Sequence, residues 1–398
     1  MRATDHWLNA SLAASHSGQS GIDNLPRGLP PWAYNHPDLF EIELERIIRP
    51  SWQIVGHVNA IPKTGDYLTV TIGPDSIMVV RDKQGKIHAH HNICRHRGAR
   101  LVQGESGNCG ASVVCPYHGW AYDHSGSLRA LPVSESFPEI DRSHYGLYPV
   151  SLEIVMGLIF VAIKPPDYSV TELWRPMMEM LAPYRIEEMV PSSELLEMPW
   201  EINWKIAMDN YLESYHVPVG HPGLFRMFIP DYEQQDLLEN GLNMGVAYFR
   251  DELSSNLAER IYQTNIVKYA THLSETDRRS WRFISMLPNM GIDIYPEQLD
   301  FFQILPSGPR STLGRWQNFG LPDERPEMKT LRYLSTRISA QVQAEDDFLC
   351  AIVQENMKSS VYQPGPISRI ESCVIQFHDR LRDLIPELKS NQVPKHFA

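Results

Sequence analysis

Basic residues are scarce in this chain of 398 residues: 36 lysines and arginines stand against 48 aspartates and glutamates, a formal charge of −12. That sign argues against a phosphate-backbone or anionic-membrane partner, so neither nucleic acid nor membrane binding is expected. Long apolar runs are missing as well. The longest, Ile154 to Ile163, is ten residues, against the roughly 20 needed to cross a bilayer. Residues 1 to 20 contain no secretory hydrophobic stretch, which leads to the expectation of a cytoplasmic enzyme. Cysteine is sparse and odd in number, five in all at positions 94, 109, 115, 350 and 373. That usage fits a reducing compartment where thiols serve metals or packing. There is no internal repeat. With 42% hydrophobic and 21% charged residues the chain can build two or three ordinary cores.

Residues 1–36 are rich in Ser, Gly, Asn and Pro and predict an arm that packs late if at all. Leu39, Ile42, Leu44 and Ile47 then recur near helical spacing after Pro37, predicting a short amphipathic helix that ends before Pro50. Segment 1–50 is therefore expected to be an arm and helix packing on the C-terminal domain. Over 51–165 the pattern changes to short β-rich runs, Tyr67 to Ile72, Ile77 to Arg81, Ile87 to Asn92 and Leu158 to Ile163, separated by Gly, Pro, Asp and Asn. Pro165, Pro166 and Asp167 punctuate this all-β module, and a helical, Met-rich stretch follows from Thr171 to Tyr184. Region 166–398 reads as α+β with an antiparallel sheet. Its predicted elements include a helix after Pro199 through Tyr215, a strand at Phe301 to Leu305 and a long helix from Pro326 to Lys358.

The β module carries Cys94-Arg-His96-Arg-Gly98 and, after a gap of 18 residues, Cys115-Pro-Tyr-His118-Gly-Trp120. Each loop offers one thiolate and one imidazole. Together they suit a [2Fe-2S] cluster with two Cys on one iron and two His on the other, because imidazoles place less negative charge on the cluster than thiolates and raise its potential. Gly98 and Gly119 permit tight turns beside the ligands, and Pro116, Tyr117 and Trp120 are placed to shield the sulfurs. A structural Cys₂His₂ zinc site is the alternative, although zinc fingers usually group Cys with Cys and His with His. Cys109 lies between the loops without a His at the right offset and reads as a packed thiol.

A second constellation follows in Asn203-Trp-Lys, Asp209-Asn210 and Glu213-x₂-His216-x₄-His221. On one straight helix, residues five apart point about 140° apart and cannot share a metal. Pro218, Gly220 and Pro222 end the helix after His216 and let His221 swing back, while Glu213 is expected on the face of His216. Two imidazoles and a carboxylate make the facial triad of a non-haem Fe(II) oxygenase, with positions open for O₂ and substrate. The third ligand is sought in Glu345-Asp346-Asp347. The apolar stripe Leu331, Leu334, Ile338, Val342, Leu349 and Val353 lands on Asp346 when stepped by four from Val342. Asp346 is therefore preferred, with Glu345 also near the stripe and Asp347 off it. The alternative is that all three acids face solvent.

In combination these motifs resemble the α subunits of Rieske non-haem iron oxygenases over about residues 35 to 380, and most nearly those acting on choline, carnitine and betaines. The tail, Glu345-Asp346 with Val353-Gln354 and Tyr362-x-Pro-Gly365, resembles the family's segment around its third ligand. The resemblance implies a Rieske domain joined to a catalytic domain whose curved antiparallel sheet wraps a long helix. It implies a cluster on Cys94, His96, Cys115 and His118, an iron on His216, His221 and Asp346, and catalytic roles for Glu213 and Asn210. It also implies a head-to-tail homotrimer in which Glu213 hydrogen-bonds its own His216 and His118 of the partner subunit. Glu213 stands where the family usually has Asp. Electrons would come from NADH through a separate flavin reductase or ferredoxin, since the chain has no Gly-rich dinucleotide fingerprint. The reaction implied is O₂-dependent hydroxylation or N-demethylation of a small methylated amine, which the many aromatic residues are able to cage. Alternatives are hydroxylation or O-demethylation of an aromatic acid, and an electron-transfer protein without oxygenase activity.

Overall fold

The computed structural model describes residues 25–229, 233–234 and 241–397. The first part of the expected N-terminal arm, residues 1–24, lies outside the described residues. Residues 25–36 do not behave as a loose arm. Pro30 and Pro31 fix the backbone ahead of a 3₁₀ turn, Pro31–Tyr34, whose Trp32, Ala33 and Tyr34 are buried. Trp32 donates from Nε1 to the Ser390 carbonyl at 3.0 Å. Aromatic area outweighs the Pro/Gly composition that suggested a late-packing segment. A helix follows at Pro37–Glu43 and continues as a π-turn through Ile48.

The chain divides into two compact units. One is contiguous, Ile48–Glu172. It holds a three-stranded sheet (Gln53–His57, Leu158–Ala162, Ser151–Val155), a four-stranded sheet (Ile87–His91, Asp75–Arg81, Asp66–Ile72, Ser106–Asn108) and a small ladder of Val113–Val114, Ala121–Tyr122 and Leu128–Ala130. The strands lie where the β-rich runs predicted them. Tyr67, Met78, Val80, Cys94, Cys115, Trp120 and Tyr122 share one apolar core, so both thiols are packed into the module and not displayed on it.

The other unit joins the described part of Met1–Ile47 to Leu173–Ala398. Its centre is an eight-stranded antiparallel sheet in the order Val190–Pro191, Ser311–Gly320, Gln298–Gly308, Met290–Ile294, Ser280–Met286, Leu242–Tyr248, Glu233–Gln234, with Leu196–Trp200 also paired to Ser311–Gly320. A long helix, Pro326–Asn356, buries Met328, Leu331, Leu334 and Ile338 against Trp281 and Tyr295 of the sheet. At its C-terminal half the buried line runs through Cys350 and Gln354, and Val353, expected on the apolar stripe, is 42% exposed. The reason is a polar anchor: Gln354 Oε1 accepts from the Asn203 backbone at 2.6 Å and Nε2 donates to Asn35 Oδ1 at 3.2 Å. A satisfied amide holds the inner position and turns Val353 outward. Nearby, Lys205 and Glu43 are both fully buried and paired at 2.6 Å, with the Trp204 indole donating to the second Glu43 oxygen at 2.8 Å.

Candidate functional site

In the contiguous unit the two Cys-His loops adopt the same turn. Cys94 N donates to Ala99 O at 2.8 Å and Gly98 N to Cys94 O at 3.0 Å, while Cys115 N donates to Trp120 O at 2.8 Å and Gly119 N to Cys115 O at 3.0 Å. Gly98 and Gly119 both sit at φ +71°, a region side chains avoid, so the two glycines close the turns. His96 and His118 face each other with ring centroids 4.7 Å apart. Trp120 stacks on His96 and Tyr117 on His118, so these two aromatic rings lie against the imidazoles. Tyr122 Oη lies 3.4 Å from Cys94 Sγ. His96 Nδ1 is buried without a hydrogen-bond partner, the state of a nitrogen whose partner is a metal. The mixed donor set, one thiol and one imidazole from each loop, suits a two-iron cluster with two Cys on one iron and two His on the other. Cys109 donates to the Gly65 carbonyl at 3.3 Å, as a packed thiol does.

The convergent group is His216, His221 and Asp346. It is built from the helix Trp204–Tyr211, which Asn203 caps by accepting from Lys205 N at 3.0 Å. This helix was expected to reach Tyr215 and carry Glu213. It stops at Tyr211, and Glu213 lies in the turn that leads to a short new helix, Val217–Gly220. Pro218 falls in the first turn of that new helix, where its missing N–H costs no hydrogen bond. The turn still brings Glu213 to His216, since one carboxylate oxygen accepts from the His216 backbone at 3.1 Å and the other meets His216 Nδ1.

Asp346 arrives from the long helix. Its Oδ1 lies 3.0 Å from His221 Nε2 and 3.6 Å from His216 Nε2, and the two Nε2 atoms are 3.0 Å apart. Asn210 Nδ2 donates to the same Oδ1 at 2.9 Å. Glu345, considered from the sequence as a ligand, instead accepts from His221 Nδ1 at 2.8 Å. Both Nδ1 atoms therefore face carboxylates, which fixes the tautomers and leaves both Nε2 lone pairs aimed at Asp346. Three lone-pair donors meeting with no proton among them require a cation. Burial would lower the His221 imidazole, but the adjoining Asp346 and Glu345 carboxylates outweigh burial and raise it above its usual range.

The triad opens on a cavity of about 510 Å³ enclosed between sheet and long helix. Strand alternation selects its wall. Across the sheet one row reads Gly245, Phe283, Asp293, Asp300, Asn318 and the next Asn243, Ser285, Gly291, Phe302, Trp316. The arginines of these strands point to the other face, where Arg282 pairs with Asp277 at 2.6 Å and Arg315 with Glu197 at 3.0 Å. Consequently, among the described residues no lysine or arginine lines the cavity, whereas Trp281, Tyr295, Phe302, Asp293, Asp300 and Asp347 do. Asp347 had been placed off the inner stripe. The cavity acids Asp293 and Asp300 were missed altogether, though a signal existed: each sits between apolar neighbours in the middle of a strand run, Ile292-Asp293-Ile294 and Leu299-Asp300-Phe301.

The profile of the Rieske [2Fe-2S] domain matches residues 51–141, and that of the ring hydroxylating alpha subunit catalytic domain matches residues 187–387. The glycine betaine monooxygenase oxygenase subunit of Chromohalobacter salexigens is 30% identical, over 94% of this chain and 90% of that one. Choline monooxygenase of Spinacia oleracea is 28% identical, over 87% of this chain and 75% of that one. Among solved structures, the quaternary ammonium Rieske monooxygenase CntA in complex with L-carnitine superposes with a TM-score of 0.72 at 20% identity, over 90% of this chain and 95% of that one. Naphthalene 1,2-dioxygenase from Rhodococcus sp. gives 0.73 at 21% identity, over 90% and 94%. No described helix is long and apolar enough to cross a membrane.

Proposed function

Because the chain belongs to the family of Rieske non-haem iron oxygenase α subunits, we propose that it is the terminal oxygenase for a small methylated amine, hydroxylating or N-demethylating it. Cys94, His96, Cys115 and His118 hold the [2Fe-2S] cluster, and His216, His221 and Asp346 hold the mononuclear iron. When bound, the cluster relays single electrons and the ferrous ion activates O₂ for insertion into a C–H bond. The chain's own groups do the positioning. Glu213 and Glu345 keep the Nδ1 protons of the two imidazoles, Asn210 orients Asp346, and the apolar wall keeps water from the reacting carbon. Glu213 also serves as the bridge to His118 of the partner subunit in a homotrimer, and a separate NADH-dependent flavin reductase or ferredoxin delivers the electrons. In balance, an N-methyl C–H bond takes one oxygen atom, and the other leaves as water with two electrons and two protons. The N-hydroxymethyl product then releases formaldehyde.

The observation that carries the amine reading is the cavity wall: aromatic faces and carboxylates with no lysine or arginine among the described lining residues. Such a wall attracts an ammonium group and gives the carboxylate of an aromatic acid no charged partner among the described lysines and arginines. O₂ uptake and formaldehyde release with a surrogate reductase are expected from methylamines and not from aromatic acids. The converse result rejects the reading. In Glu213→Ala, three irons per chain should remain while turnover stops, and normal turnover rejects the bridge.

A further inference from the structure

Asp293 and Asp300 stand directly opposite each other on neighbouring strands, Met290–Ile294 and Gln298–Gly308. Like charges in such a pair repel, and both carboxylates lie in an apolar enclosure. Among the described residues no lysine or arginine lines the cavity to neutralise them. What the fold supplies is one tyrosine each. Tyr211 Oη donates to Asp293 Oδ1 at 2.7 Å and Tyr295 Oη reaches Asp300 Oδ2 at 2.9 Å. Both rings are fixed in turn, Tyr211 edge-on to Phe302 with centroids 4.3 Å apart and Tyr295 edge-on to Trp281 at 4.6 Å. The tyrosines hold one oxygen of each acid. Asp293 Oδ2 and Asp300 Oδ1 have no hydrogen-bond partner among the described residues, although Asp300 is only 7% exposed and lines the cavity. Burial raises Asp300 to about 7, and burial with the facing Asp300 raises Asp293 well above the usual carboxylate range. The empty pair therefore retains a proton near neutrality, as facing carboxylates do.

Two acceptor oxygens framed by aromatic rings define a cation of particular chemistry. A quaternary ammonium has no N–H; aromatic faces alone satisfy it, and burying two carboxylates beside it would cost desolvation that no hydrogen bond returns. An ammonium bearing an N–H repays that cost. A carboxylate on the same molecule would find no lysine or arginine among the described lining residues to neutralise it. Resting on the methylated-amine reading above, we infer that Asp293 and Asp300 form the substrate-recognition pair and select an N–H-bearing methylated ammonium, a tertiary or secondary amine in its protonated form that carries no carboxylate.

The test is calorimetric binding to the iron-loaded enzyme, needing no turnover, with N,N-dimethylethanolamine, choline, N,N-dimethylglycine and benzoate as probes. N,N-dimethylethanolamine should bind at least about tenfold more tightly than choline or N,N-dimethylglycine, the worth of one charge-assisted hydrogen bond. Asp300→Asn should lose about that factor for N,N-dimethylethanolamine while changing choline little. Asp293→Asn is the second variant, and the wild-type order stands as a test if either variant fails to fold. Choline binding as tightly as the tertiary amine, or an unchanged Asp300→Asn, overturns the recognition pair and leaves the methylated-amine reading intact. Benzoate binding with no amine binding, or no saturable binding of any probe, overturns both.

Discussion

Replacing Glu345 by alanine isolates the part of the iron site that touches no metal. Its carboxylate accepts from His221 Nδ1 at 2.8 Å, and His221 itself is 2% exposed, so few other partners can reach that N–H. A hydrogen bond to a charged group contributes about 1.5–3 kcal/mol. The Glu345 side chain is 24% exposed, which lowers the figure through solvent screening. A loss of about 2 kcal/mol corresponds to about 30-fold weaker Fe(II) binding, inside the 10–100-fold range found for groups that orient metal-binding imidazoles. Glu345→Gln keeps a neutral acceptor and should lose about half of that free energy. The assay is anaerobic competition for Fe(II) between the protein and a calibrated chelator, with the visible absorption of the cluster as internal reference. Asp347→Asn is the control, since Asp347 pairs with Gln343 and not with either imidazole, and its iron affinity should match wild type. Equal affinity in Glu345→Ala and wild type, or loss of the cluster alongside the iron, refutes the reasoning.

Two further outcomes follow from packing. Lys205→Met leaves the Glu43 carboxylate buried without its ammonium and should destabilise the catalytic unit by about 3–5 kcal/mol, whereas adding Glu43→Gln in the same chain should recover part of that loss; thermal unfolding of the single and double variants decides, and strict additivity contradicts a coupled pair. In Gly291→Ala the new methyl group would overlap the Phe302 ring and the Tyr211 hydroxyl, displacing Tyr211 from Asp293. Ammonium binding should fall at least about tenfold with iron content unchanged, and unaltered binding shows that the row of residues across the sheet is not the cavity floor.

The metal chemistry was legible in the sequence because ligand spacing is local. Each Cys-His loop is a single turn, and Pro218, Gly220 and Pro222 announce the bend that returns His221 to His216. Asp346 was found because a helix repeats its face every 3.6 residues. The same arithmetic failed two turns later at Val353, where long-range bonds to Asn203 and Asn35 gave the inner position to Gln354. It failed again for Glu213, because the helix stops at Tyr211, well ahead of Pro218, and leaves Glu213 in the turn that follows. The cavity acids were hidden for another reason. Asp293 and Asp300 become a pair only through antiparallel register, and Tyr211 and Tyr295 join them from a helix end and a strand end. Pairing across strands has no short-range signature in sequence.

The two units differ in how the ribosome would deliver them. Ile48–Glu172 is one unbroken stretch and is complete once its own residues have emerged, so the cluster loops are available early in synthesis. The iron-binding unit starts before that stretch and finishes long after it. Gln354 ties the long helix to Asn35 and Asn203 together, and Arg382 closes on the Gly28 carbonyl at 3.1 Å. Its earliest residues must wait for nearly the last ones to be translated. Cluster insertion can thus precede ferrous loading within a single nascent polypeptide, and a chain halted after the β module would carry colour without a place to bind the third iron.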